Sequence, residues 1–312
     1  MDVKPQIQEF LGKVEQLKAY LASINFKPNQ TNTREALANM TRLHVTNYNL
    51  QLFAIDDVVM NSNYPVPVRI YHPKPGTALP VAVFIHGGGH MCGSITVYDG
   101  IVRNLTEKIN HIVISVDYRL SPEFSYPTGL EDCKKVIQNV FNVLEQRQIA
   151  YSNRDNLTII GDSGGAALCS TIAMDESFVK QNHITKQVLI YPSLDYTLTN
   201  PTIDKFGTGY LLDKAKIAWY FDNYFQNNED RQAKSPLYGN FHSSMPTTLV
   251  IVASHDPLSG EGIAYAHKVQ QVSAESQLLT VNGVVHAYLM LENLCPEECA
   301  QTYNAIANFL TN

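Results

Sequence analysis

Cysteine is scarce. Five residues in 312 leave at least one thiol unpaired and exclude the dense disulfide framework of a small secreted scaffold. Cys295 and Cys299 stand four apart, but no second Cys or His pair lies nearby at ligand spacing, so they read as free helical thiols and no metal site is expected. Runs of basic residues are missing as well. With 23 Lys and Arg against 29 Asp and Glu the formal charge is −6, which offers nucleic acid no cationic face. The longest apolar runs, such as Val81–Ile85, Ile112–Val116 and Leu249–Ala253, are of strand length and fall far short of the roughly 20 residues a membrane helix needs. The opening Met1-Asp2-Val3-Lys4-Pro5-Gln6 lacks the basic-then-apolar layout of a secretion signal, so the expectation is a cytoplasmic protein without stable membrane insertion. Internal repeats, low-complexity tracts and linkers are absent, and nothing splits the chain into independent domains. Whether copies pair as a homodimer stays open.

What the chain does hold is apolar content, 45% of it, enough for a full core. Ile7, Phe10, Leu11, Val14, Leu17 and Leu21 recur at three- and four-residue intervals, which predicts an amphipathic helix over residues 1–22. A polar stretch from Lys27 to Asn39 reads as loop, with a short helix near Arg34–Arg42. Residues 50–72 read as short strands broken by Pro65 and Pro67. Beyond them the texture changes to continuous apolar strands at Val81–Ile85, Ile112–Val116, Leu157–Ile160, Val188–Tyr191, Leu249–Ala253 and Leu278–Val281. Helix-length segments lie between, at Val97–Ile109, Leu130–Gln146, Gly165–Asp175, Gly260–Val272 and Glu297–Leu310. Doubly buried strands alternating with helices imply an α/β fold, a mostly parallel sheet with helices on both faces. About 55 residues separate Tyr191 from the next strand, too many for one crossover, so an inserted subdomain is expected there. Its aromatic helix around Ile217, Trp219, Tyr220 and Phe221 takes Asp213 as N-cap.

One short stretch organises the rest. Gly161-Asp162-Ser163-Gly164-Gly165 follows a β-branched strand and precedes small helix-forming residues, the strand-turn-helix context that gives Gly-x-Ser-x-Gly a meaning. Ser163 would then sit strained at the strand's end, beside the free N–H groups of a helix N-terminus. A serine at its free pKa is a poor nucleophile and needs a histidine base held by a carboxylate. Asp256 follows the strand Leu249–Ala253 and His286 follows Leu278–Val281, so both fall at carboxyl ends of strands, where open α/β sheets place their sites. His183, His242 and His267 have no strand to deliver them, and His44, His72 and His111 read as ordinary surface or satisfied residues. His86-Gly87-Gly88-Gly89 comes straight after Val81–Ile85, and its glycines let backbone N–H groups approach a substrate oxygen. Gly88 and Gly89, with Gly164, are the expected oxyanion donors. The loop lacks the Lys-Ser/Thr of a phosphate loop and the spacing of a dinucleotide fingerprint, which argues against a nucleotide cofactor.

His86-Gly87-Gly88-Gly89, Asp117-Tyr118-Arg119-Leu120-Ser121-Pro122-Glu123, Gly161-Asp162-Ser163-Gly164-Gly165, Asp256-Pro257-Leu258 and His286, in this order, resemble the hormone-sensitive-lipase-like esterases of the α/β-hydrolase superfamily. The resemblance runs from about residue 45 to the end. It implies a helical cap built from an N-terminal segment (1–45) and an insertion (196–235), with the catalytic α/β domain in two parts (46–195 and 236–312). It implies hydrolysis of short- to medium-chain carboxylic esters, with no metal or organic cofactor, through Ser163, Asp256 and His286. Asp117, Arg119 and Glu123 resemble an element that ties loops together by ion pairs. Two positions depart from the family pattern. Gly164 stands where alanine is usual, and His90 stands where a bulky aromatic or aliphatic residue is usual; His90 reads as a solvent-facing loop residue. Tyr210, Leu211 and Tyr288 are placed by position near the acyl and alcohol pockets. An amidase or formamidase with the same three residues is the alternative among enzymes. A small-molecule-binding protein that keeps the pocket without the chemistry is the alternative outside them, and the presence of His286 argues against it.

Overall fold

The computed structural model describes residues 2–311. Eight strands form one sheet: β1 (Phe53–Asn61), β2 (Tyr64–His72), β3 (Val81–Ile85), β4 (Ile112–Val116), β5 (Leu157–Asp162), β6 (Ile184–Ile190), β7 (Thr247–His255) and β8 (Gln277–Val285). Their order is β1-β2-β4-β3-β5-β6-β7-β8, with β1 and β2 antiparallel at one edge and every pairing from β4 through β8 parallel. Successive side chains of a strand point to opposite faces, and β3 divides accordingly: Val81, Val83 and Ile85 enter one core, while Ala82 and Phe84 enter the other.

Helices α1 (Pro5–Ser23), α2 (Gln30–His44) and α3 (Ile95–Ile109) come before β5, as does α4 (Thr128–Gln146). After β5 follow α5 (Gly164–Ala173), α6 (Glu176–Gln181), α7 (Pro201–Phe206), α8 (Lys214–Tyr224), α9 (Arg231–Lys234), α10 (Ser259–Val272) and α11 (Pro296–Thr311). The apolar faces of α4, α5 and α10 fill one core and those of α3 and α11 the other. A third, aromatic cluster joins Tyr196, Phe221, Tyr224 and Phe225 to Met91 and Cys92, so that α8 rests on the loop after β3. No helix of the described residues is long and apolar enough to cross a membrane.

Two expectations are corrected. The stretch from Lys27, read as loop with a short helix near Arg34–Arg42, is from Gln30 the 15-residue helix α2, started by a reciprocal capping box in which Asn29 and Asn32 each accept the other's backbone N–H at 3.0 and 2.9 Å. Pro65 and Pro67 do not break the second strand. The Pro67 carbonyl accepts from Asp117 N–H at 2.9 Å, and N and O of an extended residue lie on one side. The missing N–H groups therefore face away from β1, and the β1 ladder runs uninterrupted past them.

Candidate active site

Strand β5 ends at Asp162, and Ser163 takes φ 50° and ψ −118° before α5 begins at Gly164. The turn closes on itself so tightly that only glycine fits its flanks. A Cβ on Gly161 would stand 2.6 Å from the Gly165 carbonyl, and one on Gly165 would run into the Ile85 carbonyl oxygen. Ser163 Oγ lies 2.9 Å from His286 Nε2, and His286 Nδ1 lies 2.8 Å from Asp256 Oδ2. The other Asp256 oxygen accepts Leu258 N–H at 2.8 Å, which fixes the carboxylate in a fully buried seat. A carboxylate only accepts, so the hydrogen of a neutral His286 ring is assigned to Nδ1, leaving Nε2 to accept from the Ser163 hydroxyl. The Tyr191 ring meets His286 edge-on, centroids 5.0 Å apart, and walls the imidazole on one side.

Opposite stands the loop after β3. Gly88 and Gly89 take φ of 108° and 62°, and the Gly88 carbonyl accepts the N–H groups of Met91 and Cys92 at 3.1 and 2.8 Å, curling the loop into a tight turn. A Cβ on Gly89 would stand 2.5 Å from Tyr220 Cγ, so α8 packs directly on the turn. A Cβ on Gly164 would meet the backbone nitrogens of His90 and Gly89 at 3.2 and 3.3 Å. The loop's amides and the first turn of α5 thus face one another beside Ser163. Asp162 secures the loop from below: Oδ1 accepts Gly87 N–H at 2.7 Å and Oδ2 accepts the Tyr98 hydroxyl at 3.0 Å. Burial pushes the Asp162 pKa up to about 6, against the pull of those two donors.

His90 is not solvent-facing. It is buried, its ring lies 3.8 Å from that of Tyr224 at 10°, and Nε2 is 3.3 Å from the Tyr196 hydroxyl. Its φ of 61° turns the side chain under α8, and burial holds its pKa down at about 3, so the ring is neutral. The flat ring fills the place of the bulky residue usual at this position. Of the pocket residues placed by position, Leu211 lines the cavity; Tyr210 instead stacks on His255, and Tyr288 is core, with its hydroxyl on Thr302. Asp213 does precede α8, but its carboxylate serves Lys18 at 2.5 Å instead of capping the helix.

Ser163 and His286 open onto a cavity of about 540 Å³ whose walls come largely from α1, α2 and α8, including Phe10, Val14, Met40 and Ile217. The sequence-predicted stripe of α1 faces inward here. Arg34 of α2 ties this wall to the core: it donates to the carbonyls of Met91 and Ser121 at 2.8 and 2.9 Å and pairs with Glu123 at 2.6 Å. Arg119 pairs with Asp132 at 2.7 Å, and Asp117 accepts Ile95 N–H at 3.1 Å, so this segment does hold loops together. Sequence reasoning missed Arg34, because nothing in its polar surroundings marks the partner carbonyls. All five cysteines are free; Cys295 and Cys299 bring their sulfurs to 3.9 Å, with Cys295 just ahead of α11 and not in it. Among the described residues no group of three or more His, Cys, Asp and Glu side chains converges as a metal site would.

Residues 82–290 match the family model for the alpha/beta hydrolase fold. The chain is 30% identical over 240 residues to an ethyl acetate hydrolase of Pseudomonas putida, covering 75% of this chain and 74% of that protein. It is 31% identical over 233 residues to an arylesterase of Saccharolobus solfataricus, covering 73% and 74%. A solved hyperthermophilic esterase from the archaeon Pyrobaculum calidifontis superposes with a TM-score of 0.88 at 26% identity, over 99% of this chain and 97% of that one. The chain belongs to the α/β-hydrolase superfamily, within the hormone-sensitive-lipase-like carboxylesterases.

Proposed function

We propose that this chain is a serine carboxylesterase acting on short- to medium-chain esters through an acyl-enzyme. Ser163 is the nucleophile, His286 the general base and then acid, and Asp256 the residue that orients and compensates the imidazolium. As Ser163 Oγ attacks the ester carbonyl its proton passes to Nε2, and the same proton then leaves with the alcohol. Water repeats the sequence on the acyl-enzyme, releasing the acid and restoring Ser163. The N–H groups of Gly88, Gly89 and Gly164 receive the oxyanion; a donor of this kind supplies about 2.7–4 kcal/mol of transition-state stabilisation. The segments 1–45 and 196–235 form a cap over the α/β domain.

The observation that carries this reading is the unbroken series Ser163 Oγ, His286 Nε2, His286 Nδ1, Asp256 Oδ2, with both contacts under 3 Å. Similarity to proteins named ethyl acetate hydrolase and arylesterase supports the ester as substrate. The test is hydrolysis of p-nitrophenyl esters from acetyl to long acyl chains by the native protein and by Ser163→Ala. A chain-length optimum that vanishes in Ser163→Ala is expected; equal slow rates in both would overturn the nucleophile. Ester against anilide turnover separates an esterase from an amidase.

A further inference from the structure

The cavity wall contributed by α8 carries one charged residue beside its apolar ones. Ile217, Tyr220 and Phe221 are buried, and Lys214, Ala215 and Lys216 in the first turn are exposed, with Lys214 pairing with Asp204 at 2.6 Å. Lys216 is exposed, one turn before Tyr220 and beside Ile217, and lines the edge of the same cavity as Ser163. A cation at the edge of an apolar cavity is a local inconsistency of the kind that marks function.

Its partners are what set it apart. Lys18, the other lysine of the cavity wall, is neutralised by Asp213 and Glu15 at 2.5 and 2.8 Å. Lys216 has no carboxylate within ion-pair distance among the described residues; its ammonium lies 5.7 Å from the Tyr220 ring centre. Among the described residues the one acidic side chain in the cavity lining is Asp162, which is buried and already accepts from Gly87 and Tyr98. The surrounding protein pulls the Lys216 pKa down by desolvation, yet the side chain keeps a large accessible surface. Because Tyr220 packs on Gly89, four helical residues, about 6 Å of rise, separate Lys216 from the residue that covers the proposed oxyanion loop.

From this placement we infer that Lys216 is a specificity residue that receives an anionic group at the far end of the substrate's apolar chain, so that the cavity accepts esters of the form apolar chain ending in a carboxylate. The inference rests on the esterase reading. An apolar wall with one unpaired ammonium at its edge suits an amphiphilic anion: the walls desolvate the chain while the ammonium supplies a charge-assisted hydrogen bond.

The test compares p-nitrophenyl hydrogen suberate with p-nitrophenyl octanoate, and hydrogen adipate with hexanoate, in the native enzyme, Lys216→Met and Lys216→Arg. The ratio of kcat/KM for the anionic ester to that for its neutral counterpart should fall at least tenfold in Lys216→Met and be largely kept in Lys216→Arg. The acetate ester of 6-hydroxyhexanoate, followed by acetate release, asks the same question with the anion on the alcohol side. A ratio unchanged within twofold on both sides overturns the inference. Calorimetric binding of monomethyl suberate and methyl octanoate to Ser163→Ala, with and without Lys216→Met, gives a readout independent of turnover. If the native protein hydrolyses no ester while Lys216→Met still weakens only the anionic ligand, the esterase reading fails and the Lys216 site stands; equal binding changes sink the site.

Discussion

Replacing Gly89 by alanine tests how the cap and the proposed oxyanion loop depend on one another. The new Cβ would stand 2.5, 2.6 and 3.0 Å from Cγ, Cδ2 and Cδ1 of Tyr220, where carbon atoms in contact keep about 3.5–4.0 Å. Either the ring or the loop must therefore move by about 1 Å. Tyr220 is buried on α8 and hemmed in by the aromatic cluster, so the loop is the part that gives. Alanine at φ 62° adds a backbone cost on the order of 1–3 kcal/mol, which pushes the loop the same way. Displacing one oxyanion donor costs about 2.7–4 kcal/mol, so kcat/KM on p-nitrophenyl butyrate should fall by about 10²–10³, mostly in kcat. Removing the ring should relieve the steric part. Measured against Tyr220→Ala alone, Gly89→Ala should then cost clearly less, with a coupling of at least about 1 kcal/mol between the two sites. Thermal melts of all four proteins separate unfolding from lost catalysis. A Gly89→Ala enzyme within threefold of the native rate, or an equal effect in both backgrounds, would refute the reasoning.

Three other outcomes follow from the same geometry. Gly164→Ala places a Cβ 3.2–3.4 Å from His90 N, Gly89 N and Gly89 Cα, and a loop already held by Tyr220 cannot retreat freely, so kcat should drop several-fold with an unchanged melting temperature; a faster enzyme would mean that the loop yields. Arg34→Ala removes donors to two carbonyls as well as an ion pair and should cost about 1–3 kcal/mol in denaturant unfolding, whereas Glu123→Gln, at an exposed carboxylate, should cost under about 1 kcal/mol; equal losses would place the energy in the ion pair instead. Asp162 has its folded pKa raised from 3.8 to about 6, so the native state binds the extra proton between those values and loses stability as pH rises from about 4 to 6. Asp162→Asn should flatten that part of the stability profile by about 2–3 kcal/mol, and a native slope that survives the substitution would assign it to another group.

Legibility in the sequence followed the number of faces a segment buries. Val81–Ile85 and Ile112–Val116 are buried on both faces, and the observed strands have those very bounds. Strands β6, β7 and β8 extend beyond their apolar runs because their ends, such as Thr185-Lys186 and Ser254-His255, carry polar residues whose partners are distant in sequence: Lys186 donates to the Phe309 and Leu310 carbonyls, and His255 stacks on Tyr210. Helix α2 is longer than the short helix expected near Arg34–Arg42, since its first turn is polar and its start depends on asparagine side chains. Ser163, Asp256 and His286 could be read from position, each at the carboxyl end of a parallel strand. His90 could not, because a loop histidine looks polar until α8 is seen lying over it. The same holds for Lys216 and Arg34, whose meaning lies in partners more than fifty residues away in sequence, or in the want of any partner at all.

The most direct test of the central claim is covalent. Treating the native protein with an alkyl fluorophosphonate and reading the modified peptide by mass spectrometry asks whether Ser163 is the activated hydroxyl. The account predicts one adduct, on Ser163, formed quickly in the native protein and slowed at least a hundredfold in His286→Ala. An adduct on another residue, or labelling of Ser163 that is indifferent to His286, would contradict it.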